Sequence, residues 1–477
     1  MLYLGLHIVL MVAISLRILL RDDLGPASRM AWFIVVAMLP ALGIGLYFLF
    51  GEVTLGRAAT ARHHAVSRRV HAGAGSALGS REAIDRMIAP EYRAAFHYAA
   101  SINGFGLTTG NAAELMPDAA GARARLVADI DAATRQVDVL YYIWLDDQTG
   151  TNVAEALIRA AKRGVECRAM ADSLGARAII RSPLWQRMQD AGVKTAVALP
   201  IGNLLYTLIF SRIDLRNHRK ITVIDGQISH CGSQNCADPE FRVKPAFAPW
   251  VDVMLRVTGP VVAQNQLLFA SDWLLHADAA GDEDAISTSA LPVADGFPAL
   301  IMGDGPTERG AATPQLFSVL IQSARETLTI STPYFVPDAT VLEAICATAL
   351  RGVQVRIIFP QRNDSWIVSA ASRSYYRKLL RAGVEIFEFC DGLLHAKTLT
   401  IDGQVSFLGS SNMDLRSFGL NYENNILLQD AATTAALLVR QADYVAASTR
   451  VVLPEVEAWP MYRRVWNNVI STIGPVL

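Results

Sequence analysis

One segment of 18 residues occurs twice in this chain of 477 residues, and this duplication constrains the fold more than any other feature. Residues 218–235 read HRKITVIDGQISHCGSQN and residues 395–412 read HAKTLTIDGQVSFLGSSN, identical at ten positions without a gap. The distance between the copies is too long for the repeat of a solenoid. We therefore expect two homologous halves, whose equivalent polar residues meet at one shared cleft.

Both halves alternate short β-rich runs with amphipathic stretches. The predicted elements are a strand at 137–144 and a helix at 151–162, then in the second half a strand at 327–335, a helix at 341–350 and a strand at 355–359. Strand–helix–strand order in each copy predicts α/β halves with mixed sheets flanked by helices. We place the first half at 91–290 and the second half at 291–477.

Each copy carries the pattern His-x-Lys-x4-Asp. The residues are His218, Lys220 and Asp225 in the first copy and His395, Lys397 and Asp402 in the second. Random placement of nine His, six Lys and 28 Asp gives roughly 0.007 such matches, so the pattern is not accidental. Residues two apart in a strand point to the same face, so both imidazoles and both ammonium groups are expected to converge.

The two aspartates of this pattern have two interpretations. Asp225 and Asp402 each stand in an Ile-Asp-Gly sequence, which is typical of a turn between two strands. They either take part in the chemistry beside the histidines and lysines or stabilise the turn.

A Gly-Ser-x-Asn sequence ends each copy and adds candidate phosphate ligands. These are Ser233, Asn235, Ser410 and Asn412. Lysines neutralise phosphate charge, and hydroxyl and amide groups donate hydrogen bonds to phosphate oxygens. One histidine can attack phosphorus while the other protonates the leaving oxygen. The residues predict a site for displacement at phosphorus that requires neither a metal nor another cofactor.

Two apolar runs begin the chain. Residues 2–20 contain His7 and Arg17 as their only strongly polar side chains, and residues 31–50 carry no charge. Each run is long enough to cross a hydrocarbon core of about 30 Å, so residues 1–51 are predicted to form a hairpin of two transmembrane helices. A cleaved signal peptide explains only the first run, and a buried soluble helix of this composition is rare.

The segment 52–90 is predicted to be a basic juxtamembrane linker. Arg57, Arg62, Arg68 and Arg69 follow the hairpin, with Glu52 as the acid beside them. By the positive-inside rule this excess of arginine predicts a cytoplasmic catalytic domain. The segment either lies on anionic headgroups or forms a solvated linker.

Composition excludes several classes of function. The chain balances 43 Lys and Arg against 44 Asp and Glu, for a net charge of -1, which argues against a nucleic-acid partner. Its five cysteines show no paired spacing, so a disulfide scaffold or a zinc finger is not expected, and a reducing compartment fits best.

Further segments, together with the duplicated motif, resemble the phospholipase D superfamily and, within it, the bacterial cardiolipin synthases. These segments are 142–144 (YIW), 332–337 (TPYFVP), 409–418 (GSSNMDLRSF) and 421–423 (NYE). With the N-terminal hairpin, the resemblance covers nearly the whole chain. It implies a multi-pass enzyme of the bacterial inner membrane that joins two phosphatidylglycerol molecules and releases glycerol. The implied partners are phosphatidylglycerol, other anionic phospholipids and the membrane itself.

The resemblance also implies residue roles. It makes His218 the nucleophile that forms a phosphohistidine and His395 the general acid and then base, whereas the residues alone leave this order open. It further implies that Glu423 orients His218 and that Asp252 orients His395, each from the opposite half. A carboxylate on the non-reacting nitrogen selects the tautomer and stabilises the imidazolium. The alternative is that both carboxylates are ordinary surface acids.

Other interpretations stay open at this point. Motif and fold do not separate transfer to an alcohol from transfer to water, so a phospholipase or nuclease of the same superfamily is an alternative. A non-catalytic, membrane-anchored lipid-binding protein is another. An apolar insert at 200–210 (PIGNLLYTLIF) precedes the first motif without a counterpart in the second half, and forms either a lipid-facing lip or core.

Overall fold

The computed structural model describes residues 2–22, 24–51, 57–200, 214–277 and 283–472. This part of the chain divides into two units. One comprises the described residues up to Ala61 together with Asp214 and Leu215, and the other comprises Arg62–Pro200 with the described residues from Arg216 onward. Apart from Pro200, the predicted apolar lip at 200–210 lies outside the described residues.

The first unit is helical. Its elements are α1 (Leu2–Leu19), α2 (Pro26–Met38), α3 (Pro40–Leu46) and a π-helical turn at Tyr47–Gly51. Inside the unit, Trp32 and Tyr47 pack edge to face with ring centroids 5.5 Å apart. Within the described ranges, we find no helix that combines the length and the apolar character needed to cross a bilayer.

The second apolar run, predicted as one continuous helix, is broken at Leu39. This residue has φ -130° and ψ 67°, outside the helical region. A residue that precedes proline is pushed out of the α region by steric clash, and here Pro40 follows. The run therefore forms two short helices, α2 and α3, in place of one.

The remaining helices are α4 (Arg57–Ala74), α5 (Glu82–Met87), α6 (Arg93–Ala100), α7 (Ala119–Asp131), α8 (Gln148–Lys162), α9 (Arg177–Ile180), α10 (Pro183–Asp190), α11 (Val261–His276), α12 (Ala312–Ser323), α13 (Ala339–Leu350), α14 (Trp366–Arg381), α15 (Leu415–Gly419), α16 (Ala431–Ala446), α17 (Leu453–Glu457) and α18 (Met461–Thr472).

The strands are β1 (Thr108–Leu115), β2 (Gln136–Tyr141), β3 (Glu166–Asp172), β4 (Lys194–Ala198), β5 (Arg216–Asn217), β6 (Lys220–Ile224), β7 (Ile228–Gly232), β8 (Trp250–Val251), β9 (Met254–Thr258), β10 (Phe297–Asp304), β11 (Thr327–Ser331), β12 (Phe335–Val336), β13 (Gln354–Pro360), β14 (Glu385–Phe389), β15 (Leu393–Leu394), β16 (Thr398–Ile401), β17 (Val405–Gly409), β18 (Met413–Asp414), β19 (Asn421–Gln429) and β20 (Ser448–Val451).

Local sequence explains where the repeated helices begin and end. Asp147 caps α8 by accepting a hydrogen bond from Gly150 N at 3.0 Å, and Asp338 caps α13 in the same way. After α8, Gly164 adopts φ 88°, a left-handed conformation that favours glycine and closes the helix. Gly352 follows α13 with φ 93°. The repeated Arg-Gly-Val sequence is thus a helix stop in both halves.

The predicted α/β architecture with two similar halves is confirmed, and the two halves share one mixed sheet. The strand order is β20-β14-β13-β11-β16-β17-β19-β10-β1-β9-β7-β6-β2-β3-β4, with β5 paired to β19. The halves join where β10 pairs antiparallel with β1. Parallel pairs β2–β3 and β11–β13 mark the equivalent strand–helix–strand units. The predicted strand at 327–335 ends early at Ser331, two residues before Pro333, since proline cannot donate to a sheet ladder.

The segment predicted as a juxtamembrane linker is helix α4 over most of its described length. Its residues Val70 and Ala74 are buried in a core cluster of the second unit. His71 Nε2 lies 2.9 Å from the backbone oxygen of Asn103. The next helices, α5 and α6, pack Ile84 and Phe96 into the core of the second half. From Arg62 onward this segment is therefore part of the second unit.

Candidate active site

The two motif histidines line one cavity of about 440 Å³ in the second unit. His218 lies between β5 and β6, and His395 lies between β15 and β16. The strand preceding each histidine pairs with the opposite half, β5 with β19 and β15 with β8. The strand following it pairs within its own half, β6 with β2 and β16 with β11. Each histidine thus stands where the chain changes partner, which brings the two motifs together.

This change of partner corrects one detail of the sequence prediction. The His-x-Lys segments were expected to lie within a strand, but residues 218–219 and 395–397 interrupt the sheet, and Lys220 is the first residue of β6. The backbone N–H of His218 donates to Tyr422 O at 2.9 Å, and that of His395 donates to Val251 O at 2.8 Å. These bonds cross to the opposite half, so the side-chain alternation of a regular strand does not apply.

His218 is held by a carboxylate from the second half. Its Nδ1 lies 2.8 Å from Glu423 Oε2 and 3.0 Å from Glu423 Oε1. Glu423 is fully buried and also accepts hydrogen bonds from the amide of Asn421 and the hydroxyl of Ser410. The ring of Tyr142 packs edge-on against the imidazole, with centroids 4.8 Å apart. The carboxylate selects the Nδ1–H tautomer, so Nε2 is the nitrogen available to a substrate.

His395 has the reciprocal arrangement. Its Nδ1 lies 2.6 Å from Oδ1 of Asp252, which belongs to the first half. The hydroxyl of Ser233 donates to the same Asp252 oxygen at 2.6 Å. The indole of Trp250 packs on the imidazole with centroids 4.6 Å apart. Each histidine is therefore oriented by a carboxylate of the other half and enclosed by one aromatic ring.

The two motif lysines lie directly behind their histidines. Lys220 Nζ donates to His218 O at 2.5 Å, and Lys397 Nζ donates to His395 O at 2.6 Å. Burial lowers the pKa of Lys220 to about 7 and that of Lys397 to about 8, and the ammonium of Lys397 also lowers the pKa of Lys220. An anionic substrate beside them favours the charged forms.

Burial also controls the charge of the histidines. It lowers the pKa of His218 to about 4, although the charge of Glu423 raises it, and Lys220 lowers it further. Burial likewise lowers the pKa of His395, against the opposing effect of Asp252. At neutral pH these lowered pKa values make both imidazoles neutral, the form in which Nε2 can attack phosphorus.

The four predicted phosphate ligands separate into two groups. Asn235 and Asn412 line the cavity together with the histidines. Within the described residues, Asn412 Oδ1 is buried and finds no hydrogen-bond partner. Ser233 and Ser410 instead donate their hydroxyl hydrogens to Asp252 and Glu423. Because each hydroxyl has one hydrogen, a serine that donates it to a carboxylate does not donate it to a phosphate oxygen at the same time.

The motif aspartates lie at the far end of the strands that follow the histidines. The carboxylate of Asp225 accepts hydrogen bonds from the backbone N–H groups of Thr134, Arg135 and Gln136 at 2.8–2.9 Å. Asp402 accepts the equivalent three bonds from residues 325–327. Both have φ 52°, a left-handed conformation that aspartate tolerates. This geometry favours the structural alternative for both aspartates over a part in the chemistry.

Sequence reasoning assigned no role to several residues that complete the cavity wall. They are Tyr142, Arg216, Lys244, Trp250, Tyr334, Asp364, Asp414 and Arg416. Lys244 Nζ and the Tyr334 hydroxyl both contact Asp364, each at 2.7 Å. Arg216 and Arg416 flank the two motifs in sequence, which is the only local signal for them. The cavity combines imidazole, ammonium, guanidinium and amide groups, a donor set suited to phosphate oxygens.

Comparison with known proteins gives two family matches. The family described as "Cardiolipin synthase, PLD-like domain" matches residues 126–273 and 318–443. The family described as "Phospholipase_D-nuclease N-terminal" matches residues 9–52. The first pair of matches covers more than half of the chain and contains both histidines.

Full-length relatives and a solved structure agree with these matches. The chain is 34% identical to "Cardiolipin synthase A" of Serratia proteamaculans, with 98% of this chain and 96% of that protein covered. It is 34% identical to "Cardiolipin synthase A" of Proteus mirabilis over the same shares. The crystal structure of phosphatidylserine synthase from Haemophilus influenzae matches with a TM-score of 0.57 at 16% identity, covering 76% of this chain and 95% of that chain. That likeness concerns the fold.

Proposed function

Because the chain belongs to the cardiolipin synthase family of phospholipase D-like enzymes, we propose that it joins two phosphatidylglycerol molecules into cardiolipin and releases glycerol. It is a phosphatidyl-transferring enzyme of that family. One observation carries the proposal: the two histidine–carboxylate pairs, His218 with Glu423 and His395 with Asp252, face the same cavity. Such a site needs a nucleophile and an acid on opposite sides of one phosphorus, and this geometry supplies both.

In the first step, neutral His218 attacks the phosphorus of one phosphatidylglycerol through Nε2. A P–N bond forms, and the P–O bond to the headgroup glycerol breaks. Protonated His395 gives its Nε2 proton to the leaving glycerol oxygen. Glu423 stabilises the positive charge that develops on His218, and Lys220 and Lys397 stabilise the charge on the phosphate oxygens. The phosphate of the bound lipid favours the protonated form of His395 that this step requires.

In the second step, His395 acts as a base. It takes the proton from the terminal hydroxyl of a second phosphatidylglycerol, and the hydroxyl oxygen attacks the phosphatidyl-His218 phosphorus. The P–N bond breaks and its electron pair returns to Nε2 of His218. The products are cardiolipin and free enzyme, so each imidazole ends in the state in which it began.

The cavity wall supports phosphatidylglycerol as the second substrate. Three cations, Arg216, Lys244 and Arg416, line the cavity together with the carboxylates of Asp364 and Asp414, and the two motif lysines lie buried behind the histidines. These cations suit a site that holds a second phosphodiester beside the reacting one, because like charges of two lipids repel unless they are neutralised. If water were the acceptor, no second phosphate would enter the cavity, and these cations would not be needed to neutralise one.

We further propose that residues 1–51 anchor the enzyme in the bacterial inner membrane as a two-helix hairpin, with the catalytic unit in the cytoplasm. The uncharged run 31–50 and the nearly uncharged run 2–20 support this proposal. In the described part of the first unit, Val9, Leu16 and Phe33 are exposed. Arginines after the hairpin favour the cytoplasmic side for the second unit.

Turnover in bilayer discs tests the reaction. We expect wild-type protein with labelled phosphatidylglycerol to yield cardiolipin and glycerol in equal amounts, and His218→Ala and His395→Ala to yield neither. His97→Ala is the matched control, because His97 is exposed and pairs with Asp85 on the surface. If phosphatidic acid is the main product, the enzyme transfers the phosphatidyl group to water and is a hydrolase. Mass spectrometry of the trapped phosphatidyl-enzyme identifies the nucleophile, and label on His395 would reverse the assignment.

Reporter fusions test the membrane topology. Alkaline phosphatase fused after Leu24, in the loop of the proposed hairpin, is expected to be active, since this enzyme works only outside the cytoplasm. The same reporter fused after Thr472 is expected to be inactive. The opposite pair of results would show that the hairpin has the inverse orientation. Release of the protein from membranes by alkaline carbonate would show that residues 1–51 do not anchor it.

A further inference from the structure

The last described helix, α18, exposes a continuous apolar stripe. Together with one residue of α14 it forms a surface that we call the aromatic face, consisting of Trp366, Met461, Tyr462, Val465, Trp466 and Val469. Each of these side chains is between 49% and 76% exposed. The indole rings of Trp366 and Trp466 stack with centroids 6.0 Å apart and an angle of 15° between planes. Exposed apolar patches of this kind mark interaction surfaces on soluble domains.

The buried side of α18 connects the aromatic face to the catalytic cavity. Ile470 packs in one cluster with Val336 and Ala371, and Val368 packs against that cluster. Val336 and Val368 also line the cavity that contains both histidines. Trp366 stands between Ser365 and Val368 in sequence, two residues that line the cavity. Helix α14 therefore lines the cavity through Val368 and carries Trp366 of the aromatic face, and α18 joins the same cluster through Ile470.

The charges of α18 fit an anionic lipid surface. The helix sequence MYRRVWNNVIST contains two arginines and neither aspartate nor glutamate. Arg463 lies over the ring of Trp459 at 3.9 Å, at the edge of the aromatic face. Tryptophan, tyrosine and arginine around an aliphatic stripe is the composition of helices that lie in the plane of a membrane interface.

We propose that the aromatic face inserts into the headgroup–acyl boundary of a bilayer that contains anionic phospholipid, and so brings the catalytic cavity to the lipid surface. The inference rests on the proposed function to the extent that the cavity takes a lipid substrate. Helices α14 and α18 pack beside the cavity and expose the aromatic face. With that face in the membrane, a lipid can reach the cavity without leaving the bilayer completely.

A fluorescent label measures the insertion directly. The full chain carrying Cys390→Ser and Val465→Cys is labelled with an environment-sensitive dye in discs of phosphatidylcholine and phosphatidylglycerol. Cys390 is the exposed cysteine of the described residues, and the other four are buried. We expect the label at 465 to emit at shorter wavelength and to be quenched several-fold by lipids with a nitroxide on the upper acyl chain.

Val439 provides the matched control. It is 64% exposed on α16, whose buried residues belong to a different core cluster. A label at Val439→Cys is expected to stay in water and to be quenched weakly. Equal, weak quenching at 465 and 439 would overturn the inference. The inference would also be overturned if labels on two copies show energy transfer and the label at 465 is shielded from the nitroxide lipid. That result would show that the aromatic face binds a second copy of this chain.

Activity separates this inference from the proposed function. Val465→Glu is expected to lower kcat/KM for phosphatidylglycerol in discs by about tenfold, because a carboxylate resists transfer into an anionic interface. Val439→Glu is expected to leave it unchanged. If wild-type protein has no turnover but the label at 465 is quenched, the proposed function fails and the docking surface stands. If turnover is normal and Val465→Glu has no effect, the docking surface fails alone.

Discussion

Glu423 Oε2 and His218 Nδ1 lie 2.8 Å apart although 205 positions separate the two residues in the chain. The reciprocal pair, Asp252 and His395, joins residues that are 143 positions apart. Each half therefore supplies the histidine of one pair and the carboxylate of the other. Neither half contains a complete histidine–carboxylate pair, so the chemistry depends on the joined fold.

The first prediction concerns Glu423→Gln. The amide keeps the size of the side chain but removes the charge that stabilises the imidazolium and selects the tautomer of His218. We expect kcat to fall by about 10²- to 10⁴-fold with a small change in KM. Steady-state kinetics in discs measures this split. Glu343→Gln, an exposed carboxylate paired with Lys378, is the control. A Glu423→Gln enzyme with wild-type kcat would contradict the role of the carboxylate.

The second prediction concerns pH. The pKa values of Lys220 and Lys397 are lowered to about 7 and about 8, so their positive charge is present at lower pH and lost as pH rises through this range. Because kcat/KM reports the free enzyme, it is expected to fall between about pH 7 and pH 9. Lys220→Arg, which stays protonated, should move the start of this decline from about pH 7 to about pH 8, where Lys397 loses its charge.

Lys378→Arg is the control for the pH profile, since Lys378 is exposed and pairs with Glu343 on the surface. Its profile should coincide with that of the wild type. A kcat/KM that stays level or rises over the same range would show that the two buried lysines do not need their charge.

The third prediction separates the two possible roles of Ser410. If its hydroxyl supports Glu423, Ser410→Ala lowers kcat by about tenfold, the cost of one hydrogen bond to a charged group. The same substitution should then have little further effect in Glu423→Gln. A double-mutant cycle on kcat measures this coupling. If the losses of kcat in the two single variants add up in the double variant, and Ser410→Ala alone raises KM, then Ser410 is a phosphate ligand.

The fourth prediction concerns the motif aspartates. Asp225→Ala leaves the N–H groups of Thr134, Arg135 and Gln136 without their acceptor and places alanine at φ 52°. We expect the free energy of unfolding to fall by about 2 to 4 kcal/mol, while kcat of the folded enzyme stays within a few-fold of the wild type.

Thermal unfolding and kinetics on the same preparation test this pair of outcomes. Asp190→Ala is the control, because Asp190 is on the surface and accepts one hydrogen bond from Gln186. An Asp225→Ala protein that melts like the wild type but has lost its turnover would place the aspartate in the chemistry.

Much of the site was predictable because the same polar residues occur at equivalent positions of both copies of the duplicated segment. The repeated His-x-Lys motif indicated one shared cavity, and the cavity contains both histidines. The Asp-Gly turns indicated a structural alternative for Asp225, and its hydrogen bonds favour that alternative. The sequence does not separate the two possible roles of Ser233 and Ser410, because a hydroxyl near a phosphate site looks the same whether it binds phosphate or a neighbouring carboxylate.

Properties that depend on short spacing can be read from the sequence. The α/β halves, the capped helices and the Arg-Gly-Val helix stops follow from residues within a few positions of each other. The break at Leu39 has the same local origin in Pro40, although the run was predicted as one continuous helix. The resemblance implied the pairs Glu423–His218 and Asp252–His395, which no local spacing predicts. The pairing of β10 with β1 in one sheet and the exposed face shared by Trp366 and Trp466 emerged from the fold alone. These are contacts between distant positions. Local propensity and periodicity carry no information about them, because packing of the whole chain selects the partners.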